Sequence, residues 1–164
     1  MFNCLRLLSL IFAFLWMSAC GFQPLHQKSS SVDDNLASTR VEIIANRDGQ
    51  ILHNHLRDKI NPKGIAPNPL YSLKVELSLK TRTTGFTSTQ QATYATIVAT
   101  ADYELTNLAD QESLYQGTAE SVTSYNKFVT PYTDRYSERD ARERALADLS
   151  EEIQNALSAF FATR

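Results

Sequence analysis

The residue best equipped for covalent chemistry in this 164-residue chain is Cys20, which follows a short apolar run and two small side chains, Ser18 and Ala19. A signal peptidase accepts small residues beside the bond it cuts, because its pocket excludes bulky ones. A cysteine just after that bond takes a diacylglycerol thioether on sulfur, and cleavage then frees its amino group for acylation. Three acyl chains exceed the two signals that stable anchoring on a membrane leaflet requires. Cys20 is therefore read as a lipid-attachment site, and residues 1–19 as a lipoprotein signal peptide that is cleaved.

The flanking residues agree. Arg6 and the amino terminus form a small positive region, and Leu7 to Met17 are apolar except for Ser9. Eleven helical residues at about 1.5 Å each span roughly 16 Å, well short of a hydrocarbon core of about 30 Å, which argues against a transmembrane anchor. An ordinary cleaved signal peptide, with Cys20 merely near the cut, is the other reading.

Taking 19 residues from 164 leaves 145, enough for one domain that buries roughly two-thirds of its unfolded surface. Cys4 leaves with the signal peptide and Cys20 is alkylated, so the mature domain has no free thiol and no disulfide. Packing alone must hold it together. Its three histidines (His26, His53, His55) show no zinc-ligand spacing, and His53 and His55 would point to different sides of a helix. A formal charge of −2 with no basic stripe speaks against nucleic acid. There is no G-x-S-x-G, P-loop, dinucleotide fingerprint or H-E-x-x-H. Asp102 with Glu104, and Glu151 with Glu152, read as solvated surface. No catalytic constellation, metal or cofactor is expected beyond the covalent lipid on Cys20, so the chain reads as a binding or assembly module rather than an enzyme.

The elements that must carry such a module follow from periodicity. Gln27 to Thr39 is polar and serine-rich and reads as a flexible leash, so residues 20–39 are the lipidated N-terminus and tether and residues 40–164 a single domain. Arg40 to Asn46 alternates as a short strand, and Asp48-Gly49 ends it and caps a helix over Gln50 to Ile60. Asn61 to Pro69, with three of the five prolines, is a loop. Tyr71, Leu73, Val75, Leu77 and Leu79 alternate with polar residues, the clearest strand in the chain, and Thr93 to Leu108 repeats the pattern. Thr83 to Gln91 between them reads as a long hairpin loop. Leu114 to Asn126 is a weaker strand, with Gly117 a bulge or a close-approach point. From Ser137 to Thr163 the period becomes helical through Ala141, Ala145, Leu149, Ile153 and Phe160. The order β-α-β-β-β-α predicts an α+β two-layer sandwich: a four-stranded, mostly antiparallel sheet with two helices on one face.

Two features suit binding. Lys74, Lys80 and Arg82 share the polar face of one strand with Ser72, Ser78 and Thr84, near Phe86 and Tyr94. Such cations and hydroxyls could hold a phosphorylated, acylated amphiphile through charge-assisted hydrogen bonds, or could simply solubilise a sheet face. The stretch Tyr125 to Tyr136 (YNKFVTPYTDRY) packs four aromatics into twelve residues, either as a loop on the helix ends or as an exposed anchor for a partner.

The run from Cys20 to Leu25, CGFQPL, resembles the mature start of LptE, the lipopolysaccharide-assembly lipoprotein family. The resemblance extends through chain length and element order, including the long central hairpin, Tyr125-Asn126 and the charged C-terminal helix. It implies a plug inside an LptD-like outer-membrane β-barrel, one that helps the barrel assemble and binds lipopolysaccharide for delivery to the outer leaflet. A compact fold with a polar outer surface suits a polar lumen. Gly21 lacks the Asp that retains lipoproteins at the inner membrane of enteric bacteria, which favours the periplasmic side of the outer membrane. Basic residues of the family contact the phosphorylated lipid; local chemistry here nominates Lys80, Arg82 and Lys127. The alternative is an auxiliary lipoprotein of an ABC-type lipid transport system.

Overall fold

The computed structural model describes residues 30–86 and 92–163. Cys20, the signal peptide, the CGFQPL segment and His26 lie outside the described residues. In chain order the elements are α1 (Ser30–Ala37), β1 (Thr39–Val41), α2 (Asn46–Ile60), β2 (Tyr71–Phe86), β3 (Ala92–Asn107), β4 (Ser113–Asn126) and α3 (Pro131–Ala162).

The four strands form one sheet in the order β1-β2-β3-β4. β1 runs parallel to β2, which needs the crossover that α2 supplies, and the two later pairings are antiparallel. Register turns the period-two pattern into rows across the sheet. Leu73, Leu105 and Tyr115 form one row of the inner face, followed by Val75, Tyr103 and Gly117, then Leu77, Ala101 and Ala119. The α+β two-layer architecture is as expected, with α3 lying across β3 and β4 and α2 packed beside it. Leu52, Leu56, Leu73, Leu105, Leu146, Leu149, Ile153 and Leu157 are fully buried between the layers.

Several boundaries differ from the sequence reading, each for a local reason. From Ser30 onward the segment read as a leash is helix: Val32 and Leu36, one turn apart, pack on the core, and Leu36 is buried. The Asn61 side-chain amide donates to the carbonyls of Ala37, an acceptor that the helix end leaves open, and of Thr39 at the start of β1, both at 3.1 Å. The first strand is only Thr39–Val41, and α2 begins at Asn46 rather than Gln50. Gly49 does not cap that helix but lies inside it, because Ile44 presses so closely that a Cβ would meet its Cγ2 at 2.7 Å. β2 continues to Phe86 and β3 starts at Ala92, since alternating threonines extend a strand as readily as they fill a loop. The centre of the expected loop, residues 87–91, lies outside the described residues.

Gly117 is a close-approach point and not a bulge. A Cβ there would lie 2.5 Å from the Tyr103 hydroxyl oxygen, and the register shift falls elsewhere, between Leu105 and Thr106. α3 begins at Pro131, six residues before the expected start, because proline suits the first helical position. Half of the aromatic stretch is therefore helix rather than loop.

Candidate functional site

Among the described residues, helices cover one face of the sheet and leave the other open, and register sorts the side chains of that open face by charge. Toward the β3–β4 turn, Lys74, Glu104 and Gln116 form one row and Glu76, Asp102 and Thr118 the next. These groups satisfy one another. Lys74 Nζ pairs with Glu76 at 2.9 Å, Gln116 donates to Glu104 at 2.9 Å, and the Thr118 hydroxyl donates to Asp102 at 2.6 Å. The hydrogen bond to Glu76 raises the Lys74 pKa, and hydrogen bonds from Ser113 and Gln116 lower that of Glu104. This end is an internally hydrogen-bonded, net acidic surface, with one ammonium among three carboxylates.

Toward the hairpin the composition changes. Lys80 lies in a row with Val98 and Val122, and Arg82 in the next with Thr96 and Ser124. Both cations are exposed, and neither has an acidic partner among the described residues. Two positions apart on one strand, they share a face at about 6.6 Å along the chain. Beside them the Thr96 and Ser124 hydroxyls lie 3.0 Å apart. The sheet thus offers two unpaired cations, hydroxyls and a half-apolar row together. Phe86 sits at the strand end, and its side chain is not among those described.

Lys127 goes elsewhere. It follows β4 and pairs with Asp134 on α3 at 3.1 Å, its ammonium 6.0 Å from the centre of the Tyr125 ring. Asp134 also accepts the Phe128 backbone N–H at 3.1 Å. That hydrogen bond, then the one from Lys127, lowers the Asp134 pKa; the bond to Asp134 in turn raises that of Lys127. The fold therefore brings Lys80 and Arg82 together and commits Lys127 to fastening the start of α3.

His53 makes an ordinary contact: its Nδ1 lies 2.9 Å from the Glu42 carbonyl oxygen. Among the described residues no group of three or more His, Cys, Asp and Glu is placed to hold a metal. None of the described helices is long and apolar enough to cross a membrane.

Two concave features stand out, and the first was missed in the sequence. A cleft of about 220 Å³ between α2 and α3 gathers Arg47, Arg135, Arg139 and Arg142 with Asp48, Glu138 and Glu143. The four-residue step from Arg135 to Arg139 was its only local signal, since Asp48 arrives from a distant segment. A groove of about 560 Å³ at the hairpin end runs between β4 and α3, lined by Tyr94, Ser124, Tyr125, Phe128, Tyr136 and Arg144 among others. The aromatic stretch announced this groove. Tyr125 is buried in its floor, whereas Val129, Tyr132 and Tyr136 are exposed.

A layered α+β domain that keeps one sheet face bare defines the class, and comparison with known proteins narrows it. The family model LptE: Lipopolysaccharide-assembly matches residues 36–157, and the chain belongs to that family. Among solved structures, a protein from Caulobacter crescentus described as a lipoprotein superposes with a TM-score of 0.69 at 20% identity, covering 82% of this chain and 98% of that one. A minor lipoprotein from Acinetobacter baumannii gives a TM-score of 0.61 at 16% identity over 75% and 92% of the two chains. The rare lipoprotein B from Shewanella oneidensis gives 0.59 at 10% identity over 76% and 96%. At such identities these likenesses speak for the fold. Among curated proteins no sequence matches.

Proposed function

We propose that this chain is a lipid-anchored outer-membrane protein, held by Cys20 on the periplasmic side. In this reading it seats as a plug in an LptD-like β-barrel and holds lipopolysaccharide on its way to the outer leaflet. The family match carries the reading. The bare sheet face supports it on physical grounds. A plug presents polar surface to a polar lumen, and here no described helix covers the second face of the sheet. Unpaired Lys80 and Arg82 beside hydroxyls suit the phosphates of such a lipid, which form charge-assisted hydrogen bonds. Val98 and Val122, in the same row as Lys80, offer apolar surface suited to an acyl chain.

The test is recovery of the C-terminally tagged protein from gently solubilised outer membranes. A large β-barrel in stoichiometric amount, with the tagged protein shielded from protease, supports the plug. Recovery alone, or with an inner-membrane transporter, overturns it in favour of the auxiliary-lipoprotein alternative.

A further inference from the structure

The sheet has two open edges of different character. Among the described residues β2 pairs with β1 only over Tyr71 to Leu73 and its edge is unpaired beyond that point, but Lys74, Lys80 and Arg82 stand along it. Charges of this kind are a usual guard against stray strand pairing. β4 is the last strand of the sheet, and among the described residues nothing pairs with its outer side over Ser113–Asn126. It contains no proline, lysine or arginine, and its single charge is Glu120. Fourteen residues of unguarded edge are an open template for another strand.

That edge also has walls. Tyr136, Asp140 and Arg144 repeat at four-residue spacing on α3 and line the groove together with Ser124, Tyr125 and Asn126 at the end of β4. Asp140 and Arg144 pair with each other. Tyr94, Phe128 and Ser137 complete the lining, and Tyr136 is 69% exposed, a large aromatic surface that no described residue covers. A bare strand edge running beside a helix is the geometry by which an extended peptide joins a sheet: main-chain hydrogen bonds supply affinity and alternate side chains enter the groove.

We infer that β4 and α3 form a docking groove for an extended segment of a partner protein, added antiparallel to β4 as a fifth strand. Charge selects the occupant. A residue opposite Tyr125 faces inward, under α3, and should be apolar. The residue five places further along the incoming strand lies opposite Glu120 on the other face, where the exposed carboxylate calls for Lys or Arg. A second copy does not meet this need, because β4 has no cation to set against Glu120 in any register of self-pairing. The inference does not depend on the barrel reading.

The test uses the detergent-solubilised full chain and a fluorescein-labelled decapeptide of alternating valine and threonine, with lysine replacing the threonine five residues after a valine. Saturable binding is expected, with slowed amide exchange at residues 118–126 and none at 74–83. Methylating alternate peptide amides should weaken binding by about tenfold or more, because the ladder hydrogen bonds are lost. Glu120→Lys should weaken the lysine peptide and favour its glutamate counterpart, a reversal that general unfolding cannot produce. Tyr136→Ala with Phe128→Ala, at exposed positions, should cost about tenfold in affinity. No saturable binding, binding indifferent to amide methylation, protection at β2, or self-association through β4 would each overturn the proposal.

Discussion

Arg142 on α3 reaches Asp48 on α2 at 3.0 Å, across 94 positions of sequence, and holds Glu138 one turn back at 2.6 Å. Burial opposes its charge, but Asp48 and Glu138 more than offset this and raise the guanidinium pKa. The pair joins two helices that have no covalent reason to lie side by side. Arg142→Ala should lower unfolding free energy by about 1 kcal/mol, with a positive coupling to Asp48→Asn in a double-mutant cycle. Chemical denaturation of the four proteins checks this, and additive effects would show the contact to be idle.

Gly49 offers a sharper case. Alanine inside a helix ordinarily gains up to about 1 kcal/mol over glycine. Here the added Cβ would meet Ile44 at 2.7 Å, with the backbone carbon and oxygen of Ile44 at 3.0 Å, where nothing yields cheaply. Gly49→Ala should therefore destabilise by about 1–3 kcal/mol, the usual range for overpacking. A thermal midpoint above that of the parent would refute the close approach.

Asp134 ties stability to acid. Its carboxyl titrates below the ordinary 3.8 because the Phe128 N–H, and then Lys127, favour the anion. The stabilisation is complete above the unfolded-state value and disappears as pH falls through the lower folded-state value. Lys127, raised above 10.5, contributes fully below that value and loses its contribution as pH climbs through its higher folded one. The stability difference between the parent and Asp134→Asn should be constant near neutral pH and shrink in strong acid. A difference that persisted there would remove the carboxylate as its source.

Lys80 and Arg82 carry the lipid assignment. Lys80→Glu with Arg82→Glu should abolish most lipopolysaccharide binding while leaving the far-ultraviolet spectrum and thermal midpoint nearly unchanged, since both side chains are exposed. Undiminished binding in the folded variant would discard the assignment. Lys127→Gln separates the roles further: it should lower stability through Asp134 with little effect on lipid.

Cys20→Ser tests the anchor. The variant should lose the thioether-linked lipid in mass spectra of the mature N-terminus and move from the membrane to the soluble fraction. Unchanged lipid mass would place the attachment elsewhere.

Much of the fold was legible because its signals are local. Tyr71 to Leu79 alternate with period two, and pleating alone sends Leu73 and Val75 to the same side whatever they later meet. The helical stripe through Ala145, Leu149 and Ile153 is likewise set by 3.6 residues per turn. The Cys20 reading is of the same local kind and lies outside the described residues. Boundaries were harder. Residues 30–37 are too polar to announce a helix; α1 forms because Leu36 finds a core and Asn61, 24 positions beyond Ala37, takes up the carbonyl of that last helical residue. Lys80 and Arg82 could be placed on one face from spacing. That the face stays bare, that Thr96 and Ser124 stand beside them, and that Lys127 is drawn off to Asp134 depended on register and on the path of α3. Periodicity acts between neighbours and so can be read along the chain. The Arg142–Asp48 pair, the Gly49–Ile44 contact and the groove beside β4 join distant segments, and only the packing of the layers decides which of those meet.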